Sequence, residues 1–237
     1  MTERLLVVGA HAADFVWRSA GAVAAVTQAG GRAMAVALSY GERGESAELW
    51  SRGGTNVGEV KAVRHSEAEQ AARILNAEFT CFDLGDYPLW VDGASLERLA
   101  ELIRDFAPTI LITHTESDPF NPDHPVAHQA AIRAQQLAVG SGRAAAFRIV
   151  PQPRVVLFEP HYPEASGFVP DVYLDISAVA QLKQDAMAAI ESQAYMPAYQ
   201  EMRSTQRAWQ ARRIAGRTGI TSVEVFQRFT PQVITQL

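Results

Sequence analysis

Short apolar runs at residues 5–9, 33–39, 79–84 and 109–113 each stop at a turn signal, and each leads, directly or through a loop, into a longer stretch with helical spacing. Strands separated by helices cannot pair as hairpins; they pair in parallel, with the helix serving as the crossover. The four runs end at His11, Tyr40, Gly85 and His114. The loops after them therefore gather on one rim, where open α/β sheets keep their binding crevice.

The expected architecture is a Rossmann-like α/β fold, a mostly parallel sheet flanked by helices, in a single domain over residues 1–237. Helices are expected over 15–28, closed by Gly30-Gly31; over 59–76, with Val60, Val63, Ala71, Ile74 and Leu75 buried; over 95–106, with Ser95 as N-cap; and from His124 to about residue 139. The loop at 40–58 is polar and glycine-bearing, and too long for an ordinary connection, which points to function. Residues 140–145 read as a flexible connection, 154–158 as a fifth strand, and 172–176 as a short β-run opening a helix near Ser177. The basic stretch 195–216 reads as an amphipathic helix on the surface or in a subunit contact, and 195–237 as a helical and extended appendage.

Composition narrows the partners. The net charge is −5, with no basic stripe of the kind a phosphate backbone requires, so nucleic acid is not expected. Cys81 is the single cysteine; it excludes an intramolecular disulfide and suits a reducing compartment. The N-terminus has no signal-type apolar segment, and no apolar run approaches membrane-spanning length. A cytoplasmic protein without a membrane partner is expected.

The chemistry-bearing residues cluster at the rim. His11 and Asp14 sit in a turn entering a helix and can converge on one ion, although Asp14 could equally cap that helix and His11 be a loop histidine. His11, His114, His124 and His161 all fall at or just beyond strand ends. His124 opens a helix after an Asn-Pro-Asp turn and can point back into the crevice as a third ligand. Two histidines, one carboxylate and an open position describe a catalytic metal site. His128, one turn along, faces the same way and is a further candidate; His114 reads as a supporting or packed residue.

His11-Ala12-Ala13-Asp14 together with Asn121-Pro122-Asp123-His124 resembles the HPDD and HPDH motif pair of the PIG-L or LmbE-like family, the zinc-dependent N-acetylglucosamine deacetylases. The resemblance covers almost the whole chain, including Gly41-Glu42-Arg43-Gly44 where that family has a GExG loop. It implies zinc on His11, Asp14 and His124, one ion per subunit, with another divalent metal as the alternative. Two positions depart from the pattern. The family's general base, a carboxylate just before the liganding aspartate, is Ala13 here, and the histidine that supports its tetrahedral intermediate is Asn121. Losing the base removes a proton transfer worth about 10²–10⁴ in rate.

The blocks at 10–18, 41–46, 85–88 and 158–161 are similar to the hydratase branch of that superfamily, the 4-oxalomesaconate (4-carboxy-2-hydroxymuconate) hydratases of aromatic-compound catabolism. The resemblance implies water addition to a small polycarboxylate, with amide deacetylation as the alternative. In that role the metal is the Lewis acid, Glu45 or else Glu42 acts as acid or base from the long loop, and His161 acts opposite it. Each glutamate could also be a solvated loop charge, and His161 a residue held by its neighbouring prolines. Arginine forks suit substrate carboxylates, which nominates Arg43 and Arg18, the latter alternatively a helix-surface charge. Tyr40, Ser46, Tyr87 and Asn121 are candidate neutral contacts, with packing or turn roles open for each. The resemblance and the basic C-terminal segment together suggest a homo-oligomer.

Overall fold

The computed structural model describes residues 2–140 and 150–233. β1 (Arg4–Gly9) is followed by α1 (Asp14–Gln28), β2 (Arg32–Ala37), a loop carrying the short α2 (Ala47–Trp50), α3 (Val57–Ile74), β3 (Glu78–Cys81), α4 (Gly93–Phe106), β4 (Ile110–Thr113) and α5 (Asp123–Val139). Then come β5 (Arg154–Phe158), α6 (Pro163–Ser166), β6 (Val172–Asp175), α7 (Ala180–Ala188), α8 (Met196–Ala215) and β7 (Val223–Arg228). Two 3-10 turns, Ser177–Val179 and Glu191–Gln193, precede α7 and α8. No helix among the described residues is long and apolar enough to cross a membrane.

The strands form one seven-stranded sheet in the order β3-β2-β1-β4-β5-β7-β6. β3, β2, β1, β4 and β5 pair in parallel, and β7 runs antiparallel to both of its neighbours. β1 lies between β2 and β4, where the strand order reverses, and that reversal opens the crevice at the carboxyl ends. Alternation along β1 feeds both cores. Leu5 and Val7 pack with Phe15, Val23, Ala68 and Leu75 on the α1/α3 side, while Leu6 and Val8 pack with Leu99, Ile103 and Ala130 on the α4/α5 side.

The expected elements are present with shifted ends, and the shifts have local causes. The helix expected from residue 59 begins at Val57 because Asn56 and Glu59 form a reciprocal capping box. α4 begins at Gly93, not after Ser95: Asp92 is the cap, and its carboxylate accepts the Ser95 N–H at 2.8 Å. Asp14 does not cap α1 either; Ala13 holds the cap position without a side-chain bond. The helix expected at 195–216 is α8 (Met196–Ala215), but the chain after it is no appendage: β7 lies inside the sheet, between β5 and β6. Most of the connection expected at 140–145 lies outside the described residues.

Candidate functional site

The turn after β1 delivers His11 and Asp14 into the crevice between β1 and β4. Gly9 makes that turn sterically possible, because a Cβ at this position would stand 2.8 Å from the Asp14 Cβ. The Asp14 carboxylate folds back on its own turn: Oδ2 accepts the His11 N–H at 2.8 Å and lies 3.0 Å from His114 Nε2. α5 brings in His124, whose Nδ1 is 2.8 Å from Asp118 Oδ2. On the other side, His11 Nε2 is 3.3 Å from Asp123 Oδ2. A carboxylate therefore engages one ring nitrogen of each histidine.

The remaining nitrogens, His11 Nδ1 and His124 Nε2, are buried and have no hydrogen-bond partner. They lie 3.6 Å and 3.8 Å from the Asp14 carboxylate oxygens. An orphaned buried polar atom costs ~1–3 kcal/mol, and two of them facing one carboxylate form a place that fits a cation. The ligand atoms of His11, Asp14 and His124 all fall within 4.8 Å of one another. Carboxylates behind the histidines fix the tautomers as metal sites usually require, and two imidazoles with one carboxylate fit zinc or a similar divalent ion. A second group, His11, Asp86 and Asp123, meets the same distance test. Its carboxylates are already committed to backbone donors, Asp86 to the Arg43 and Gly44 amides and Asp123 to those of Tyr87 and Leu89.

The electrostatics agree. Burial works against charge on His11, but Asp123, Glu45 and Asp14 outweigh it and raise its pKa to about 9; a field that attracts a proton there attracts a metal cation. Burial opposes ionisation of Asp14, yet His114, His124 and His11 hold it well below the usual carboxylate range. Burial first, then neighbouring His114, keeps His124 far below the ordinary histidine value and so neutral, the form that binds metal.

Glu45 approaches from the loop after β2. Its Oε1 is 3.9 Å from His11 Nδ1 and accepts from Asn121 Nδ2 at 2.8 Å, while Oε2 accepts from Gln193 Nε2 at 3.1 Å. Arg18 lies against the same cluster, with Nε 3.4 Å from Asp14 Oδ1 and Nη1 donating to the Glu159 carbonyl at 2.9 Å. His161 follows β5 beside Tyr199. Burial, then Arg18 and Arg203, pushes its pKa down to about 3, so it is neutral near pH 7. The Tyr87 ring stands 6.2 Å from the His11 ring and packs on Gly44, leaving no room there for a Cβ.

Other nominated residues point elsewhere. Glu42 is wholly buried, with its carboxylate beside Lys61 (3.5 Å) and Arg43 (3.8 Å) rather than on the metal cluster. The Arg43 guanidinium is half exposed at the rim, and its backbone N–H is tied to Asp86. Ser46 donates to the Gly41 carbonyl at 2.7 Å and thereby closes the loop. Tyr40 packs edge-on against His65 and near Cys81, away from the crevice. Asn121 uses its amide to hold Glu45, and His128 Nδ1 is 2.9 Å from the His114 carbonyl. The sequence reading passed over Asp118, Asp123 and Gln193. The two aspartates were legible in the stretch around His124; Gln193 carries no sequence signal, because its 3-10 turn reaches the site only through the tertiary fold.

Comparison with known proteins gives the same frame. Residues 6–135 match the family model PIG-L, GlcNAc-PI de-N-acetylase. The chain is 40% identical over 235 residues, 98% of its length and 91% of the relative's, to a 4-oxalmesaconate hydratase of Pseudomonas putida KT2440. The crystal structure of GalB, the 4-carboxy-2-hydroxymuconate hydratase of P. putida KT2440, superposes with a TM-score of 0.97 over 99% of both chains at 40% identity. The N,N'-diacetylchitobiose deacetylase of Pyrococcus horikoshii shares the fold, with a TM-score of 0.77 over 95% of this chain and 83% of that one at 17% identity. With more than half of its residues under that family model and a full-length relative at this identity, the chain belongs to the PIG-L family.

Proposed function

We propose that this protein is a metal-dependent hydro-lyase that adds water to 4-carboxy-2-hydroxymuconate, the enol form of 4-oxalomesaconate, or to a close polycarboxylate relative. The observation that carries the reading is Glu45 standing beside His11 while position 13 holds alanine. The carboxylate next to the cluster comes from the long loop after β2 rather than from the turn that carries His11 and Asp14, and it is a different base for a different reaction. The full-length similarity to hydratases supports the same substrate class.

His11, Asp14 and His124 would hold the ion, for which zinc is the proposed identity. Bound there, it would act as a Lewis acid that polarises the oxygen substituent of the substrate. The protein supplies the proton traffic. Glu45, gripped by two amides, takes a proton from the attacking water at a carboxylate oxygen. His161, kept neutral by burial and by Arg18, takes the enol proton and passes it to one carbon, while Glu45 releases the proton taken from water to the other carbon, so both hydrogens and the hydroxyl of the hydrate are accounted for. Arg43 at the rim offers a fork for a substrate carboxylate, and Arg18 adds positive charge deeper in. Incubation with the dienol should abolish its ultraviolet chromophore. Acetate release from N-acetylglucosamine derivatives with the chromophore untouched would instead favour a deacetylase.

A further inference from the structure

Glu45 is held by two amide side chains whose orientations are fixed by other partners. Gln193 Oε1 accepts from Trp17 Nε1 at 3.2 Å and from Arg64 Nη1 at 3.0 Å, so its NH₂ group must face Glu45 Oε2, to which it donates at 3.1 Å. Asn121 Oδ1 accepts the Asp123 N–H at 3.1 Å, which turns its NH₂ group to Glu45 Oε1 at 2.8 Å. Trp17, Arg64, Asn121 and Gln193 are all buried, so the bonds that orient the two amides are shielded from water, while the Glu45 carboxylate they hold stays partly open to the crevice. Each carboxylate oxygen receives one amide donor and keeps lone pairs for a further proton.

We propose that Gln193 is a positioning residue for Glu45, the far jaw of an amide clamp whose near jaw is Asn121. The clamp explains how a carboxylate on a long loop can serve a reaction that needs placement to within about 1 Å, where an error of that size costs up to ~10²-fold in rate. Its anchor is remote in sequence: Arg64 on α3 donates to Gln193, to Ser192 Oγ at 2.8 Å and to the Tyr40 carbonyl at 3.1 Å. One guanidinium thus ties the 3-10 turn Glu191–Gln193 to the start of the catalytic loop. This inference rests on Glu45 being the base of the hydration proposed above.

Gln193→Glu separates the jaw from the scaffold. The new side chain has the same shape and still accepts from Trp17 and Arg64, but it puts a carboxylate oxygen where Glu45 had a donor. In the zinc-loaded protein, kcat on the dienol should fall ~10–100-fold with KM changed by less than about threefold and metal content unchanged. Thermal unfolding supplies a readout independent of turnover: Gln193→Glu should lower the midpoint by roughly 2–4 °C more in the wild-type background than in Glu45→Gln, where an amide again meets a carboxylate. Equal shifts in the two backgrounds, or undiminished turnover of the variant in an active parent, overturn the clamp. A parent that never consumes the dienol sinks the hydratase reading, and the thermal cycle still decides whether Gln193 grips Glu45.

Discussion

His124 shows how much one side chain's partners can say. Its Nδ1 is fixed by Asp118 and its Nε2 is buried without a partner, facing Asp14. His124 and Asp14 were legible in the sequence as candidate ligands because each sits in a short local motif just beyond a strand end. Which ring nitrogen is left free was not legible, since it depends on carboxylates that only the fold brings near. Removing the Asp118 carboxylate frees the ring to rotate, and Asp118→Ala should weaken metal affinity ~10–100-fold, measured by competition with a coloured chelator. Glu45→Ala should do the opposite, retaining the ion while turnover drops by about 10²–10⁴. Simultaneous loss of metal and turnover in Glu45→Ala would make Glu45 a ligand rather than a base.

At the scale of elements, the loop after β2 is rigid for its length. Asp86 receives the Arg43 and Gly44 amides, Ser46 closes back on Gly41, and the Tyr87 ring packs against Gly44. Gly44→Ala puts a methyl group into that ring, so the loop must move; the expected result is reduced turnover with the metal retained, and wild-type turnover would show that the loop's position is not critical. Its length marked it as functional from sequence, but the choice between Glu42 and Glu45 needed the loop's path, which turns Glu42 inward to Lys61.

β7 was missed for a related reason. Val223-Glu224-Val225-Phe226 alternates as a half-exposed strand would, but only the fold shows where it pairs and that Glu224 is buried, 2.7 Å from Lys183 Nζ and accepting the Gly21 and Ala22 amides of α1 at 2.8 Å each. That buried pair fastens α7, β7 and α1 together. Glu224→Ala leaves Lys183 uncompensated and should cost ~3–5 kcal/mol in denaturant unfolding, part of it recovered by adding Lys183→Met. A loss under about 1 kcal/mol would remove the pair from the account of stability.

Across the whole molecule, position in the sheet decides function. Reversal of strand order at β1 and β4 places His11 and His114 on either side of one crevice, and α5 returns His124 to it from below the same rim. The parallel half of the sheet was legible because each strand carries its own apolar run, and so was β6, read at 172–176; the place of β7 was not, because it arrives only after α7 and α8 and inserts between β5 and β6. The central claim is that three side chains, from the turn into α1 and from the first turn of α5, hold one divalent ion on which hydration depends. The most direct test follows dienol absorbance in protein stripped by a chelator and then reloaded with zinc. The account predicts that turnover disappears with the ion and returns with it; a stripped protein that works at the full rate contradicts it.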